Sequence, residues 1–143
     1  MSKILIVYWS GTGNTEKMAE LIGQGAASSG AQVDIKNVAL ATPDMIDNYD
    51  VVALGSPAMG VEVIEEDEME PFVESIKDKV AGKKLALFGS YDWGDGEWME
   101  SWKERMTDYG AIVADTLIVH LTPEGESEQE CVRLGEKLAS NAF

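Results

Sequence analysis

The sequence has no long apolar run, and this absence excludes a membrane-spanning protein. None of its 143 residues lies in a stretch of about eighteen or more consecutive apolar side chains, the length that a transmembrane helix needs. The N-terminus enters an apolar strand pattern directly, without the hydrophobic segment and cleavage site of a secretory signal. We therefore expect a cytoplasmic protein. The length and the 45% hydrophobic content predict one domain, residues 1–143.

Basic residues and cysteine are scarce as well. The chain has 11 lysines and arginines against 26 acidic residues, a formal net charge of −15. Such a charge would repel nucleic acids and anionic membranes and attract protein partners with basic docking patches, although it could also serve solubility alone. Seven acids and no lysine or arginine lie between Glu62 and Glu74. The single cysteine, Cys131, permits no internal disulfide and agrees with a reducing compartment.

Apolar runs and helical patterns alternate five times along the chain. Apolar runs predict strands at residues 3–9, 50–56, 84–90 and 111–120, and an alternating pattern around Val33, Ile35 and Val38 predicts a half-exposed edge strand. Helices are predicted at 13–28 and 43–47, and on stripes formed by Met69, Phe72, Val73 and Ile76, by Trp98, Trp102, Met106 and Tyr109, and by Cys131, Leu134, Gly135 and Leu138. Two consecutive parallel strands must be joined by a crossover connection, which is usually a helix and is right-handed. The pattern therefore predicts a parallel α/β sheet with helices on both faces.

A ligand site is predicted where the first strand gives way to the first helix, at Tyr8–Thr15. Backbone N–H groups at the start of a helix have no intrahelical partner and bind phosphate well, and the hydroxyl and amide side chains of this loop add further donors. Two common nucleotide motifs do not fit: Glu16 replaces the third glycine of a dinucleotide fingerprint, and Lys17 is misplaced for a P-loop. The loop suits one terminal phosphate monoester, an ordinary helix cap being the alternative.

Three stretches of the chain resemble loops of the flavodoxin family in order and spacing. They are Tyr8-Trp9-Ser10-Gly11-Thr12-Gly13-Asn14-Thr15, Ser56-Pro57-Ala58-Met59-Gly60 and Gly89-Ser90-Tyr91-Asp92-Trp93-Gly94-Asp95-Gly96. The first is similar to the family's FMN-phosphate loop and the others to its two flavin-contacting loops. The resemblance extends over nearly all of the chain and is greatest with short-chain flavodoxins of anaerobic bacteria. It implies a flavodoxin-like three-layer α/β/α fold with a five-stranded parallel sheet in the order 2-1-3-4-5, for which flavodoxin is itself a standard example.

The resemblance implies non-covalently bound FMN as the cofactor and no metal site. The residues implied to bind FMN are Trp9, Ser10, Gly11, Thr12, Gly13, Asn14, Thr15, Ser56, Pro57, Ala58, Met59, Gly60, Val61, Glu62, Ser90, Tyr91, Asp92, Trp93 and Gly94. Met59 would pack on one flavin face, Trp93 would stack on the other, and Glu62 would accept a hydrogen bond from N3. The Gly60–Val61 peptide would face N5 and turn on one-electron reduction, because glycine reaches positive φ without a Cβ clash.

Three positions depart from the usual pattern of the family. Pro57 removes a backbone donor near the ribityl chain, Val61 places a β-branched side chain beside the pivot glycine, and Asp92 replaces a frequent glycine next to N1. Acids near the flavin, among them Glu62, Asp92 and Asp95, would lower the second one-electron potential by something on the order of 100 mV. We therefore expect a strongly reducing second couple.

The resemblance implies a carrier protein and not an enzyme. The expected function is that of a monomeric, low-potential one-electron carrier that shuttles FMN between its semiquinone and hydroquinone states. An FMN-dependent NAD(P)H:quinone reductase of similar fold is the alternative, although such enzymes often assemble through insertions that this short chain lacks. A flavin-free interaction module is a third possibility. Receiver domains and low-molecular-weight tyrosine phosphatases are disfavoured because their motifs are missing. The lone histidine, His120, is assigned a structural role.

Overall fold

The most apolar runs of the sequence form the central strands of a parallel sheet. The computed structural model describes residues 2–60 and 62–140. The strands are β1 (Lys3–Tyr8), β2 (Gln32–Asn37), β3 (Val51–Gly55), β4 (Lys84–Tyr91) and β5 (Ile112–His120). All four strand pairings are parallel, and the order β2-β1-β3-β4-β5 confirms the expected one. Strands buried on both faces must be apolar throughout, whereas β2 and β5 are partly exposed edges.

Helices cover both faces of this sheet. They are α1 (Asn14–Ser28), α2 (Met69–Ser75), α3 (Glu97–Asp108) and α4 (Glu126–Ser140). One hydrophobic cluster joins the sheet to α2 and α3, and a second joins it to α1 and α4. The expected three-layer α/β/α architecture is therefore confirmed. In the part of the chain that the structure describes, no helix is long and apolar enough to cross a membrane.

The segment between β2 and β3 forms two 3₁₀ helices, Val38–Leu40 and Pro43–Asn48. The second confirms the short helix expected at 43–47. The side chain of Asn37 accepts a hydrogen bond from the Ala39 amide at 3.0 Å, and this cap ends β2 before Val38. Val38, which the alternating pattern placed in the strand, is therefore buried as part of a turn.

The remaining boundaries differ from expectation by about one residue at each end. The first strand ends at Tyr8, the third covers 51–55, and α1 begins after Gly13. The fifth strand is continuous from Ile112 to His120, although its register against β4 shifts between Leu85 and Ala86. Ala114 is the extra residue, and a bulge of this kind increases the local twist of an edge strand.

Close packing of α1 on α4 depends on glycines that face the backbone of the other helix. A Cβ added at Gly25 would overlap the carbonyl oxygen of Val132, and one added at Gly135 would overlap that of Ile22. Cys131 is fully buried on the same side of α4, and this burial raises the pKa of its thiol to about 12. The apolar stripe predicted for the last helix is thus confirmed as its buried side.

Gly25→Ala should lower the free energy of unfolding by about 1 to 3 kcal/mol, because the added methyl group meets a backbone that cannot rotate away. Gly23→Ala on the same helix is the matched control. Its Cβ would meet only the flexible end of Ile35, with Cδ1 at 2.6 Å, and alanine is the better helix former. Urea denaturation followed by circular dichroism should therefore separate the two variants. Equal midpoints would contradict the importance of this helix contact.

Candidate functional site

The loops that follow β1, β3 and β4 meet at the carboxyl edge of the sheet and enclose a cleft of about 240 Å³. Its lining consists of Trp9, Ser10, Gly11, Thr12, Asn14, Thr15, Pro57, Ala58, Met59, Ser90, Tyr91, Asp92 and Leu121. A second hollow, of about 210 Å³, adjoins the cleft. It is lined by Ala58, Met59, Gly60, Glu62, Asp92 and Trp93. The three loops singled out in the sequence therefore come together. Gly13, Ser56 and Gly94 are not among the residues that line either hollow, and Val61 is outside the described residues.

The first loop presents the uncapped start of α1 to the cleft. Gly13 precedes the helix with φ +99°, and no side chain of the described residues caps the helix there. The Gly13 amide donates to the Ser10 hydroxyl at 3.1 Å, which tightens the turn. The first-turn amides have no intrahelical acceptor and carry the positive end of the helix dipole. This end of the cleft therefore suits an anion such as phosphate.

Trp9 forms a wall beside this loop. A Cβ added at Gly11 would lie 3.0 Å from the Trp9 ring, so the ring occupies the space that another side chain would need. The indole N–H of Trp9 donates to the Glu68 carboxylate at 3.2 Å, and its amide donates to the Gly55 carbonyl at 3.0 Å. These two bonds tie the first loop to β3 and to the segment ahead of α2.

Lys17 follows the loop but is directed away from the cleft. Its Nζ donates to the Pro123 carbonyl at 2.9 Å and pairs with Glu128 at 3.4 Å. Among the described residues that line the cleft or the adjoining hollow there is no lysine or arginine. An anion bound here would therefore be held by backbone and side-chain dipoles and not by a cation.

Hydrogen bonds between the loops fix the separation of the cleft's walls. The hydroxyls of Thr15 and Ser90, both buried, lie 3.0 Å apart and join α1 to the end of β4. The Ala58 amide donates to the Ser90 carbonyl at 3.0 Å and joins the second loop to the same residue. Ser90 therefore links all three loops in addition to lining the cleft.

Ser56 lies beneath the cleft and supports it. Its side chain is fully buried, accepts a hydrogen bond from the Glu65 amide at 3.0 Å and donates to the Pro57 carbonyl at 3.0 Å. Its own carbonyl accepts a hydrogen bond from the Trp98 indole at 3.3 Å. Through these bonds Ser56 supports the cleft from below, and the expectation that it also contacts a ligand stays a prediction.

Glu65 is a site residue that the sequence reasoning missed. Its side chain is 3% exposed, and its carboxylate accepts hydrogen bonds from the amides of Asp67, Glu68 and Met69 at 2.7, 2.7 and 2.8 Å. It thereby caps α2, while its own amide holds the loop to Ser56. The position of Glu65 could have identified it, since an acidic residue shortly before a helix is a candidate helix cap.

The second loop turns between Met59 and Val63, which form an isolated antiparallel bridge. Gly60 and Glu62 both have positive φ, at +49° and +52°, and Val61 between them is outside the described residues. One carboxylate oxygen of Glu62, Oε1, is buried without a hydrogen-bond partner among the described residues. A buried unpaired acceptor is costly unless a ligand donates to it. Glu62 is therefore a candidate ligand contact.

The third loop places an exposed aromatic ring beside this carboxylate. Trp93 is 62% exposed and lines the second hollow, whereas Trp98 and Trp102 are 1% and 2% exposed and belong to the core as expected. Gly94, with φ +91°, lies against Glu62, and a Cβ added there would overlap the Glu62 carboxylate. Both the backbone conformation and the close approach therefore require glycine at position 94.

Leu121 is a second residue that the sequence reasoning missed. It is 44% exposed and lines the cleft directly after β5. Its φ of +60° costs a non-glycine residue about 1 to 2 kcal/mol. Its amide donates to the Tyr91 carbonyl at 2.8 Å, which prolongs the pairing of β4 with β5. A leucine that follows an apolar strand carries no sequence signal for such a turn.

Negative charge is concentrated beside the second hollow. The carboxylates of Glu62, Asp95 and Glu97 lie within 4.8 Å of one another, and Asp92 lines both the cleft and the hollow. The site thus has a dipolar end suited to an anion and a negative end with apolar surface. The arrangement fits an elongated ligand with a phosphate at one end, a flat aromatic ring at the other and an N–H group that reaches Glu62.

Comparisons with known proteins give one consistent result. The model of the family described as Flavodoxin matches residues 6–135. The chain is 53% identical to the flavodoxin of Clostridium beijerinckii over 94% of this chain and 98% of that protein, and 47% identical to the flavodoxin of Megasphaera elsdenii over 94% and 96%. The solution structure of two-electron reduced Megasphaera elsdenii flavodoxin superposes with a TM-score of 0.91, at 46% identity over 96% of this chain and 98% of that one. A flavodoxin structure from the domain Archaea superposes with a TM-score of 0.88, at 30% identity over 97% of each chain.

Glu65→Gln should lower the free energy of unfolding by about 1.5 to 3 kcal/mol, because a donor group replaces one oxygen of a buried, charged cap. Glu66→Gln is the matched control, since it removes the same charge from the exposed neighbouring position. Thermal unfolding should show a clear drop in melting temperature for the first variant and almost none for the second. Indistinguishable melting curves would contradict the proposed capping role.

Proposed function

The chain belongs to the flavodoxin family, and on this premise we propose that it is a low-potential one-electron carrier. It uses the one-electron step of bound FMN that has the lower reduction potential. Flavodoxins bind FMN and transfer electrons to redox partners; they are carriers and not enzymes. The bound FMN supplies the redox chemistry, since its ring takes up and releases single electrons. One observation carries the proposal: the uncapped start of α1 and the unpaired carboxylate oxygen of Glu62 converge on adjoining hollows.

The first loop would hold the phosphate of FMN. Ser10 and Thr12 line this end with hydroxyl groups, beside the first-turn amides of α1. The Ser10 hydroxyl already accepts a hydrogen bond from Gly13, so its own hydrogen is available to a phosphate oxygen. Asn14 Oδ1 accepts a hydrogen bond from the Thr122 hydroxyl at 2.8 Å, which leaves the amide nitrogen of Asn14 to donate.

The second and third loops would hold the isoalloxazine ring. Met59 and Trp93, 37% and 62% exposed, supply apolar surface, and Glu62 would accept the N3 hydrogen bond. With the Gly60–Val61 peptide turned, the Gly60 carbonyl would accept a hydrogen bond from an N–H group at N5 of the ring. A Cβ added at Gly60 would meet no atom of the described residues beyond its chain neighbours within 4 Å, so the requirement for glycine there is conformational and not steric. Pro57 lines the cleft without offering an amide donor.

The second hollow, where the isoalloxazine ring would lie, is the ring end of the site. Acids there would make a negative charge on the reduced ring unfavourable. One unit charge at roughly 10 Å contributes about 0.4 kcal/mol in water and about 1.7 kcal/mol at an effective dielectric constant near 20, equivalent to about 20 to 70 mV. Glu62, Asp92, Asp95 and Glu97 all contribute with the same sign, and no described lysine or arginine lines the site to offset them. Their combined effect favours a strongly reducing second couple.

The surface around the ring end suits redox partners with basic docking patches. Met59, Val63 and Trp93 expose apolar side chains there, next to the acidic run from Glu62 to Glu74. Such contacts should weaken as salt rises. We further propose that residues 1–143 form one domain that acts as a monomer in the cytoplasm. A net charge of −15 opposes self-association, and a free, buried cysteine agrees with a reducing compartment.

FMN titration and stepwise reduction test this proposal. The FMN-free protein should take up FMN stoichiometrically and quench its fluorescence. Dithionite reduction of the complex should then proceed in two separate one-electron phases, the second at the lower potential. Failure to bind FMN would overturn the proposal. Steady-state reduction of a quinone by NAD(P)H, without a reductase partner, would support the quinone reductase instead.

Asp92→Asn should raise the lower of the two potentials by about 20 to 70 mV, because it removes one negative charge from the cleft. Asp108→Asn removes the same charge from the far end of α3 and serves as the control. Spectroelectrochemical titration of the two variants and the parent at low ionic strength measures the effect. An Asp92→Asn potential equal to or below that of the parent would contradict the electrostatic account.

A further inference from the structure

The lone histidine contacts the loop proposed to bind the flavin ring. His120 ends β5, and its Nε2 lies 2.9 Å from the carbonyl oxygen of Asp92. Its ring also packs against Tyr91, with the centroids 5.2 Å apart and the planes inclined at 56°. A carbonyl can only accept a hydrogen bond, so Nε2 must carry the hydrogen in this contact. His120 is therefore a donor toward the third loop and not merely an exposed residue at a strand end.

This hydrogen bond is the loop's principal attachment. Among the described residues, 92–95 form no other hydrogen bond with the rest of the chain. Gly94 and Gly96 both have positive φ, and glycine restricts a backbone less than any other residue. Without the His120 bond, the loop would be held by covalent continuity and side-chain packing alone.

The position of this loop bears directly on the ring end of the site. Asp92 lines both the cleft and the second hollow, and Trp93 lines the second hollow. Gly94 lies directly against the carboxylate of Glu62. A shift of the loop would therefore move the aromatic platform and alter the space available to the carboxylate that is expected to meet N3.

We infer that His120 is a positioning residue for the FMN site, which holds the loop 92–94, and through it Glu62, by donating a hydrogen bond to the Asp92 carbonyl. This inference rests on the proposed function and adds to it a residue outside the three loops of the family resemblance. The end of β5 supports the same geometry. Tyr91 and His120 are the last paired residues of β4 and β5, and the strained Leu121 follows immediately.

His120→Leu and His120→Gln form the decisive pair of variants. Leucine keeps an apolar side chain but cannot donate, whereas the amide nitrogen of glutamine stands at the same number of bonds from Cα as Nε2. In the FMN-free protein, backbone order parameters of residues 92–95 from ¹⁵N relaxation should fall from parent values typical of an ordered backbone to below about 0.6 in His120→Leu, because the loop loses its hydrogen bond to the end of β5. His120→Gln should keep nearly the parent values.

Binding measurements extend the test to the ligand. His120→Leu should raise the dissociation constants of FMN and riboflavin by the same factor, because the loop faces the ring and not the phosphate, and His120→Gln should restore both. Parent-like order parameters for the loop in His120→Leu would overturn the inference, as would a loss of affinity that glutamine does not restore. A parent protein that binds no FMN would instead overturn the proposed function, and the order parameters of the loop would still decide the role of His120.

Discussion

The parallel pairing of β1, β3 and β4 is the constraint on which the site depends. Tyr8 pairs with Gly55 and Gly55 with Phe88, so the three strands reach the carboxyl edge at the same level. Beyond that level β4 continues to Tyr91 because β5 continues beside it. The third loop therefore begins farther out than the other two and can form a side wall. The same extension brings the end of β5 against that wall.

The chain forms most of the cleft without help from a ligand. Ser90 joins the three loops through its hydroxyl and carbonyl, and Ser56 with Glu65 anchors the second loop from below. Where the protein's own hydrogen bonds stop, at the start of α1 and at Glu62 Oε1, a ligand can supply the missing partners. A ligand that satisfies both groups must be long enough to reach from one to the other. The two unpaired groups together therefore restrict the length of the ligand, which neither group does alone.

The sequence predicts the fold well because burial on both faces of a parallel strand requires continuous apolar runs, and such runs are visible locally. It also places the first loop, since a helix start rich in small polar residues is a local feature. The supporting residues are a different matter. Ser56, Glu65, Leu121 and His120 act through partners fixed by loop packing or strand register, and no residue pattern along the chain reports those contacts. Family resemblance names Ser56 as a ligand contact but does not identify Glu65, Leu121 or His120, since it was read from the loops alone.

In the proposed function, a chain with a net charge of −15 would hold a phosphate dianion at one end of its site while disfavouring negative charge at the other. Dipoles and net charges differ in range, and this difference reconciles the two demands. The influence of a helix terminus falls off within about its first turn, whereas a carboxylate acts over roughly 10 Å. Donors at the start of α1 can therefore bind phosphate without making the ring end less negative. A lysine in the loop would act at both ends, and Lys17 is instead paired with Glu128, outside the cleft.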